Sequence, residues 1–238
     1  MLVGIIGFGA VGKWVAEWIE RTEGFELTAI LDAVKKSHEK LTTDVDEFLS
    51  RKMDVVVEAA SQDAVKVYAE RIIESGRHLI VLSVGAFADA EFFQRIREAC
   101  MKTGKKVFIA SGAIAGLDAI YSASELVEEV VITTRKNWRQ FGRRGVVFEG
   151  YASEAATRFP KNLNVAIALS IAAGMEARVR LVGDDVEENI HEIVARGRFG
   201  EINIRIKNLP MEDNPKTSYL AALSVTRILR NLKGGVVV

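Results

Sequence analysis

Residues 3–20, VGIIGFGAVGKWVAEWIE, set three glycines, Gly7, Gly9 and Gly12, between an apolar run and an amphipathic one. No other feature narrows the fold as far. The apolar run at 2–6 reads as a buried strand. Val11, Trp14, Val15, Trp18 and Ile19 recur at helical spacing, and Gly24 follows as a stop signal. The chain must therefore turn sharply and start a helix at once. A helix N-terminus offers unpaired N–H groups and partial positive charge, so an anion settles there if the backbone can approach it. Glycine, with no Cβ, permits both the turn and the approach. Gly7 would make the turn, Gly9 would admit a pyrophosphate and Gly12 would let the helix pack on the strand. The loop Gly7, Phe8, Gly9, Ala10, Val11 and Gly12 is thus a candidate dinucleotide cradle.

Asp32 lies twenty positions beyond Gly12, at the end of the next apolar stretch, FELTAILD. A carboxylate there accepts hydrogen bonds from the adenosine ribose hydroxyls. Its charge opposes a 2′-phosphate and favours NAD. Lys35 and Lys36 follow closely and can neutralise such a phosphate, which leaves NADP as the second candidate cofactor.

Further strands are expected at VVVEAAS (55–61), HLIVLSV (78–84) and KVFIAS (106–111), with helices over 64–73 and 89–102. Alternating strands and helices of this length predict a parallel sheet covered on both faces. Ligands of such sheets bind outside the carboxyl ends of the strands. Ala60, Ser61, Ser83, Val84 and Gly85 are therefore candidates to line the nicotinamide half of the groove. After about residue 125 the pattern changes. EEVVITTRKNW, GVVFEGYA, ARVRLVGD, NIHEIVARGRF and EINIRIKN alternate more strictly, as strands of a mixed or antiparallel sheet with one open face do. Helices are expected over 160–175 and 214–235. The fold class is α/β: an N-terminal Rossmann-type doubly wound parallel sheet over 1–112, completed by the C-terminal helix 215–238, with an α+β catalytic domain with a mixed or antiparallel sheet over 113–214.

Lys plus Arg and Asp plus Glu both number 32, which argues against a nucleic-acid partner. No apolar run approaches the roughly 18 residues of a membrane span. The N-terminus enters a strand directly, with no charged leader. Cys100 is the single cysteine, which rules out an internal disulfide and fits a cytoplasmic protein. It reads as a small apolar helix residue rather than a reactive thiol. A one-sided, apolar-rich second sheet suggests a homodimer, since such sheets often bury the spare face against a copy.

The reacting groups must come from the second half. Of three histidines, His38 sits in a charged loop and reads as solvated, and His78 begins a strand and reads as structural. His191 lies inside the second sheet and is the candidate proton carrier, because imidazole titrates near neutrality. Cationic and amide groups cluster at Lys136 and Asn137, at Lys161, Asn162 and Asn164, and at Lys216, Thr217 and Ser218. PKTS is expected to open the last helix, combining a cation, two hydroxyls and a helix N-terminus into a carboxylate receptor. From spacing alone a solvated face is an equal reading of these charges.

The stretches GIIGFGAVG, VVVEAAS, LIVLSVGA, SGAIAGLDAI, FPKNLNVAIALS, NIHEI and NPKTSYLAALS together resemble the L-aspartate dehydrogenase family over nearly the whole chain. The resemblance implies NAD(P)-dependent oxidative deamination of L-aspartate to oxaloacetate and ammonia through iminoaspartate. It further implies that iminoaspartate feeds NAD biosynthesis. It makes His191 the catalytic histidine, and Ala113 and Asn164 cofactor contacts. Lys136, Asn162, Lys216, Thr217 and Ser218 are then the candidates for binding the small dicarboxylate substrate. Competing readings are a dihydrodipicolinate-reductase-like or homoserine-dehydrogenase-like oxidoreductase on the same two-domain plan, or a non-enzymatic NAD(H)-binding redox sensor.

Overall fold

The first apolar run forms β1 (Leu2–Ile6), buried over its last four residues, and the amphipathic run after the glycines forms α1 (Ala10–Glu20). This computed structural model describes residues 1–34, 37–159, 164–212 and 214–237. Two compact units emerge, Met1–Ala110 joined by the chain from Ala221 onward, and Ser111–Leu220.

In the first unit β1 and α1 are followed by β2 (Glu26–Leu31), β3 (Leu41–Thr42), α2 (Val45–Ser50) and β4 (Val55–Glu58). Then come α3 (Gln62–Glu74), β5 (His78–Val81), α4 (Ala90–Thr103) and β6 (Val107–Ile109). The strands form one sheet in the order β3-β2-β1-β4-β5-β6, with every neighbouring pair parallel. The order reverses at β1, which puts the carboxyl ends of β1 and β4 side by side at the switch point. Both sheet faces are covered. Ile5, Ile30, Val56, Val57 and Ile80 from the strands, and Val15, Ile19, Phe48, Ile72, Ile73, Phe92 and Ile96 from the helices, are almost wholly buried. Each such side chain contributes about 1.5–3 kcal/mol of hydrophobic stabilisation.

The second unit holds α5 (Leu117–Ser122), β7 (Val127–Asn137), β8 (Gly145–Tyr151), α6 (Ala152–Arg158) and α7 (Asn164–Ala173). They are followed by β9 (Arg178–Asp184), β10 (Asn189–Gly197) and β11 (Gly200–Asn208). The long strands form a mixed sheet, β11-β10-β7-β9-β8, in which β7 and β9 alone run parallel. Strict alternation sends Val130, Ile132, Thr134 and Lys136 of β7 to the buried face. The apolar α7 packs on β7 from that side.

Two expectations need correction. The strand expected over 78–84 stops at Val81, and Val84–Ala88 form a 3₁₀ turn. The cause lies outside the strand: the Ser83 amide bonds a side chain, the Glu58 carboxylate, instead of a strand neighbour. Secondly, PKTS does not open the last helix. A short hairpin of β12 (Pro210–Met211) and β13 (Asn214–Ser218) takes it up, and α8 begins only at Tyr219 and runs to Lys233. Pro215 disfavours helical backbone at Asn214 and lacks an N–H, and Ser218 pairs with Pro210 across the hairpin. From Ala221 onward α8 belongs to the first unit, where Arg230 lies over Trp18 and Lys233 over Phe25.

The open face of the second sheet is more charged than expected. Arg135 and Arg205 both reach Glu192, at 3.0 and 3.4 Å, and Lys207 reaches Glu188 at 3.1 Å. Val131 and Val194 give its middle an apolar part, next to Thr133, Glu192 and Arg205.

Candidate functional site

Within the first unit the glycine turn is built as its spacing requires. Gly7 has φ +93°, in the left-handed region, and a Cβ there would stand 2.7 Å from the carbonyl oxygen of Ala59. A Cβ on Gly12 would stand 1.9 Å from the Gly7 carbonyl oxygen, so only glycine lets α1 seat on the turn. Gly9 is the opposite case, because a Cβ there would meet no atom within 4 Å. It is the N-cap of α1, no side chain caps that end, and the first turn carries no acidic residue. The open space before a helix N-terminus is what a pyrophosphate needs.

That space belongs to a cleft of about 480 Å³ at the carboxyl ends of β1, β2 and β4, lined by Gly7, Gly9, Asp32, Ala60 and Ser61 among others. Asp32 is tied to the turn, its Oδ2 accepting from the Phe8 amide at 2.6 Å and its Oδ1 from Val34 at 2.9 Å. The carboxylate thus sits on the cleft wall beside the glycines. Phe8 is buried, and its ring meets His38 edge-on at 5.1 Å. His38 is not simply solvated: its Nδ1 accepts from the Lys40 amide and its Nε2 lies 3.6 Å from Glu20. Ala10 and Val11 form the first turn of α1, Val11 facing the core. Lys35 and Lys36 lie outside the described residues.

The two remaining strand ends are occupied by internal bonds. Ser61 is the N-cap of α3, its hydroxyl accepting from Ala64 at 3.1 Å. Ser83 is buried with its hydroxyl on Glu58, and Val84 and Gly85 are buried in the 3₁₀ turn. Glu58 escaped the sequence reading because an acid ending an apolar strand looks like a solvated strand end. It is buried, with its two oxygens engaged by Ala60 and Ser83. Burial pushes its pKa up, and the hydrogen bonds from Ser83 and Ala60 oppose that shift.

In the second unit His191 sits on β10, in ladders with β7 and β11 on either side. It is only 3% exposed, and its Nδ1 lies 2.9 Å from the hydroxyl of Thr134, its direct cross-strand neighbour on β7. Thr134 was also missed, since the pairing register that places it is invisible in sequence. Burial, and then the nearby Lys136 ammonium, hold the imidazole pKa down to about 3, so the ring is neutral near pH 7. Lys136 is buried on the same face of the sheet.

Of the other candidates, Ala113 offers its carbonyl to Asn208 Nδ2 at 2.8 Å, and Asn164 begins α7. The Thr217 hydroxyl receives Asn214 Nδ2 at 3.1 Å. Ser218 is buried, and its hydroxyl has no hydrogen-bond partner among the described residues. Lys216 has its backbone in β13. Asn162 and Lys161 lie outside the described residues. Asn137 serves its own turn, its amide bonding the Val186 carbonyl and its side-chain oxygen accepting from Arg139. Cys100 is half-buried on α4, where burial raises its thiol pKa, as suits an inert packing residue.

Comparison with known proteins agrees with this geometry. Residues 7–110 match the homoserine dehydrogenase NAD-binding domain family, and residues 118–232 match the aspartate dehydrogenase C-terminal family. The chain is 70% identical to L-aspartate dehydrogenase of Archaeoglobus fulgidus, each covered in full. It is 39% identical to that of Methanospirillum hungatei, over 99% of this chain and 98% of the other. The crystal structure of aspartate dehydrogenase from Thermotoga maritima superposes with a TM-score of 0.85 at 32% identity, covering 100% and 99% of the two chains. A dihydrodipicolinate reductase from Paenisporosarcina shares only the fold, with a TM-score of 0.59 at 13% identity over 100% of this chain and 97% of the other. The buried strand histidine, the glycine cradle and full-length identity of this degree all lead to one assignment: the chain belongs to the L-aspartate dehydrogenase family.

Proposed function

We propose that the protein oxidises L-aspartate with NAD, and also with NADP, giving iminoaspartate and then oxaloacetate and ammonia. The first unit holds the coenzyme, and the second, with His191, holds the reacting end of the substrate. The observation that carries this reading is the buried, neutral imidazole of His191 beside a buried lysine. When bound, the nicotinamide accepts the hydride that leaves Cα of aspartate.

The chain's own groups do the rest. The amide edge of the glycine loop and the N-terminus of α1 receive the pyrophosphate, and the Asp32 carboxylate receives ribose hydroxyls. With Nδ1–H donated to the Thr134 hydroxyl, His191 keeps the Nε2 lone pair for the proton of the water that attacks the imine. Its low pKa makes it a weak base. A dicarboxylate bound near Lys136 would offset the lysine's field and raise that pKa. Lys136, Asn162, Lys216, Thr217 and Ser218 are the proposed carboxylate ligands. The unpartnered buried hydroxyl of Ser218 supports that role, since such a group is satisfied by a bound acceptor. Ala113 and Asn164 are assigned to the coenzyme by family likeness.

We infer further that iminoaspartate supplies NAD biosynthesis, that the enzyme works in the cytoplasm, and that it meets neither nucleic acid nor membrane. No helix among the described residues is long and apolar enough to cross a membrane. A homodimer would bury the spare sheet face, with its apolar middle sealed by the flanking ion pairs. Val194→Lys should then yield monomers on sedimentation.

The deciding experiment is His191→Ala. Turnover should fall by about two orders of magnitude or more while NADH binding persists, and near-normal kcat would remove the catalytic assignment. Lys216→Ala should raise the aspartate KM far more than the coenzyme KM; equal effects on both would count against a substrate role.

A further inference from the structure

We propose that Glu58 is a positioning residue that fastens the coenzyme-receiving loops of the first unit to one another. This rests on the coenzyme reading of the cleft and not on the role of His191.

The argument begins with register. Glu58 ends β4, paired with Ile6 on one side and Val81 on the other. Those are the last strand residues before the glycine turn and before the loop that carries Ser83. Its side chain bonds the residues that follow β4 and β5. Oε1 accepts from the Ala60 amide at 2.8 Å and from the Ser83 hydroxyl at 2.8 Å, while Oε2 accepts from the Ser83 amide at 2.9 Å. The glycine turn rests on the same scaffold, because Ala59 donates its amide to Ile6 at 2.8 Å and Gly7 packs against the backbone of Ala59 and Ala60. One buried carboxyl group thus ties the ends of β4 and β5 together, the glycine turn rests on the first of these, and Ala59, Ala60 and Ser61 face the cleft.

Burying a carboxyl group is costly unless its oxygens are bonded, so its presence in an otherwise apolar strand calls for a return. Packing alone does not need it, because an apolar side chain would fill β4 as Val55, Val56 and Val57 do. The two backbone amides sit on different oxygens. A glutamine, with one oxygen, can satisfy only one of them and must leave the other facing an NH₂ group.

Glu58→Gln is therefore the informative variant. Wild-type protein is first titrated with NADH by fluorescence; absence of binding there would overturn both the coenzyme reading and this inference. The variant should bind NADH at least tenfold more weakly. Its coenzyme KM should rise by a similar factor, with the aspartate KM at saturating coenzyme moving less than threefold. Ile96→Val, a core change in α4, should lower Tm without moving the NADH Kd. That separates a positioning role from general loss of stability. If Glu58→Gln does not fold, Glu58→Asp keeps both oxygens but withdraws them by one methylene, and a rise in Kd of fivefold or more is expected. For whichever variant is read, a rise below threefold overturns the inference while leaving the wild-type coenzyme site intact.

Discussion

At the scale of single residues, the glycines of the cradle divide by what surrounds them. Gly12 is fixed by the fold, since an added methyl group collides with the Gly7 carbonyl. Gly9 is not fixed by the fold, since an added methyl group meets no atom within 4 Å, and the constraint on it would come from the proposed coenzyme. Gly12→Ala should therefore lose about 1–3 kcal/mol of stability in denaturant titration together with coenzyme affinity. Gly9→Ala should keep the wild-type Tm and lose affinity alone. A comparable logic applies to Thr134. Thr134→Val leaves the buried Nδ1 of His191 without a partner, at a cost of about 1–3 kcal/mol in unfolding free energy, and releases the tautomer. Turnover should fall with it, whereas Thr134→Ser should hold most of both.

At the scale of elements, α3 has its cap, Ser61, on the wall of the proposed coenzyme cleft. Ser61→Ala should cost about 1 kcal/mol of stability by urea unfolding. Ser61→Asp should restore the cap yet weaken coenzyme binding by placing a negative charge against the phosphates, and equal Kd values for serine and aspartate would contradict this. The elements also mark what sequence can convey. The doubly wound sheet was legible because apolar runs and helical periodicity are local, and Gly7 and Gly12 were legible because their demands are steric. The end of β5 and the fate of PKTS were not. Each depends on a partner outside the stretch itself, Glu58 for Ser83 and, across a hairpin, Pro210 for Ser218. Thr134 was hidden for the same reason, 57 residues from the histidine it touches.

At the scale of the whole molecule, two buried titratable groups, His191 and Glu58, pull stability in opposite directions as pH falls. His191 has its pKa lowered from 6.5 to about 3 in the folded protein. Its contribution is complete above pH 6.5 and is lost on acidification toward pH 3, by about 1.4 kcal/mol per pH unit, because the unfolded chain takes up a proton that the folded chain refuses. Glu58, with its folded pKa raised, gives the opposite sign: the folded chain protonates first and gains stability as pH drops through that value. Unfolding free energies measured from pH 7 to pH 4 should fall less steeply for His191→Asn than for the wild type, and parallel curves would rule out a neutral buried ring. Finally, His191 stands in a strand with neighbours hydrogen-bonded on both sides, so its backbone is held in place. Such a ring works as a ruler. On the role proposed for His191, a substrate longer by one methylene, glutamate in place of aspartate, would have to absorb the whole misfit itself, and selectivity for chain length would yield to reshaping of strands sooner than to exchange of surface residues.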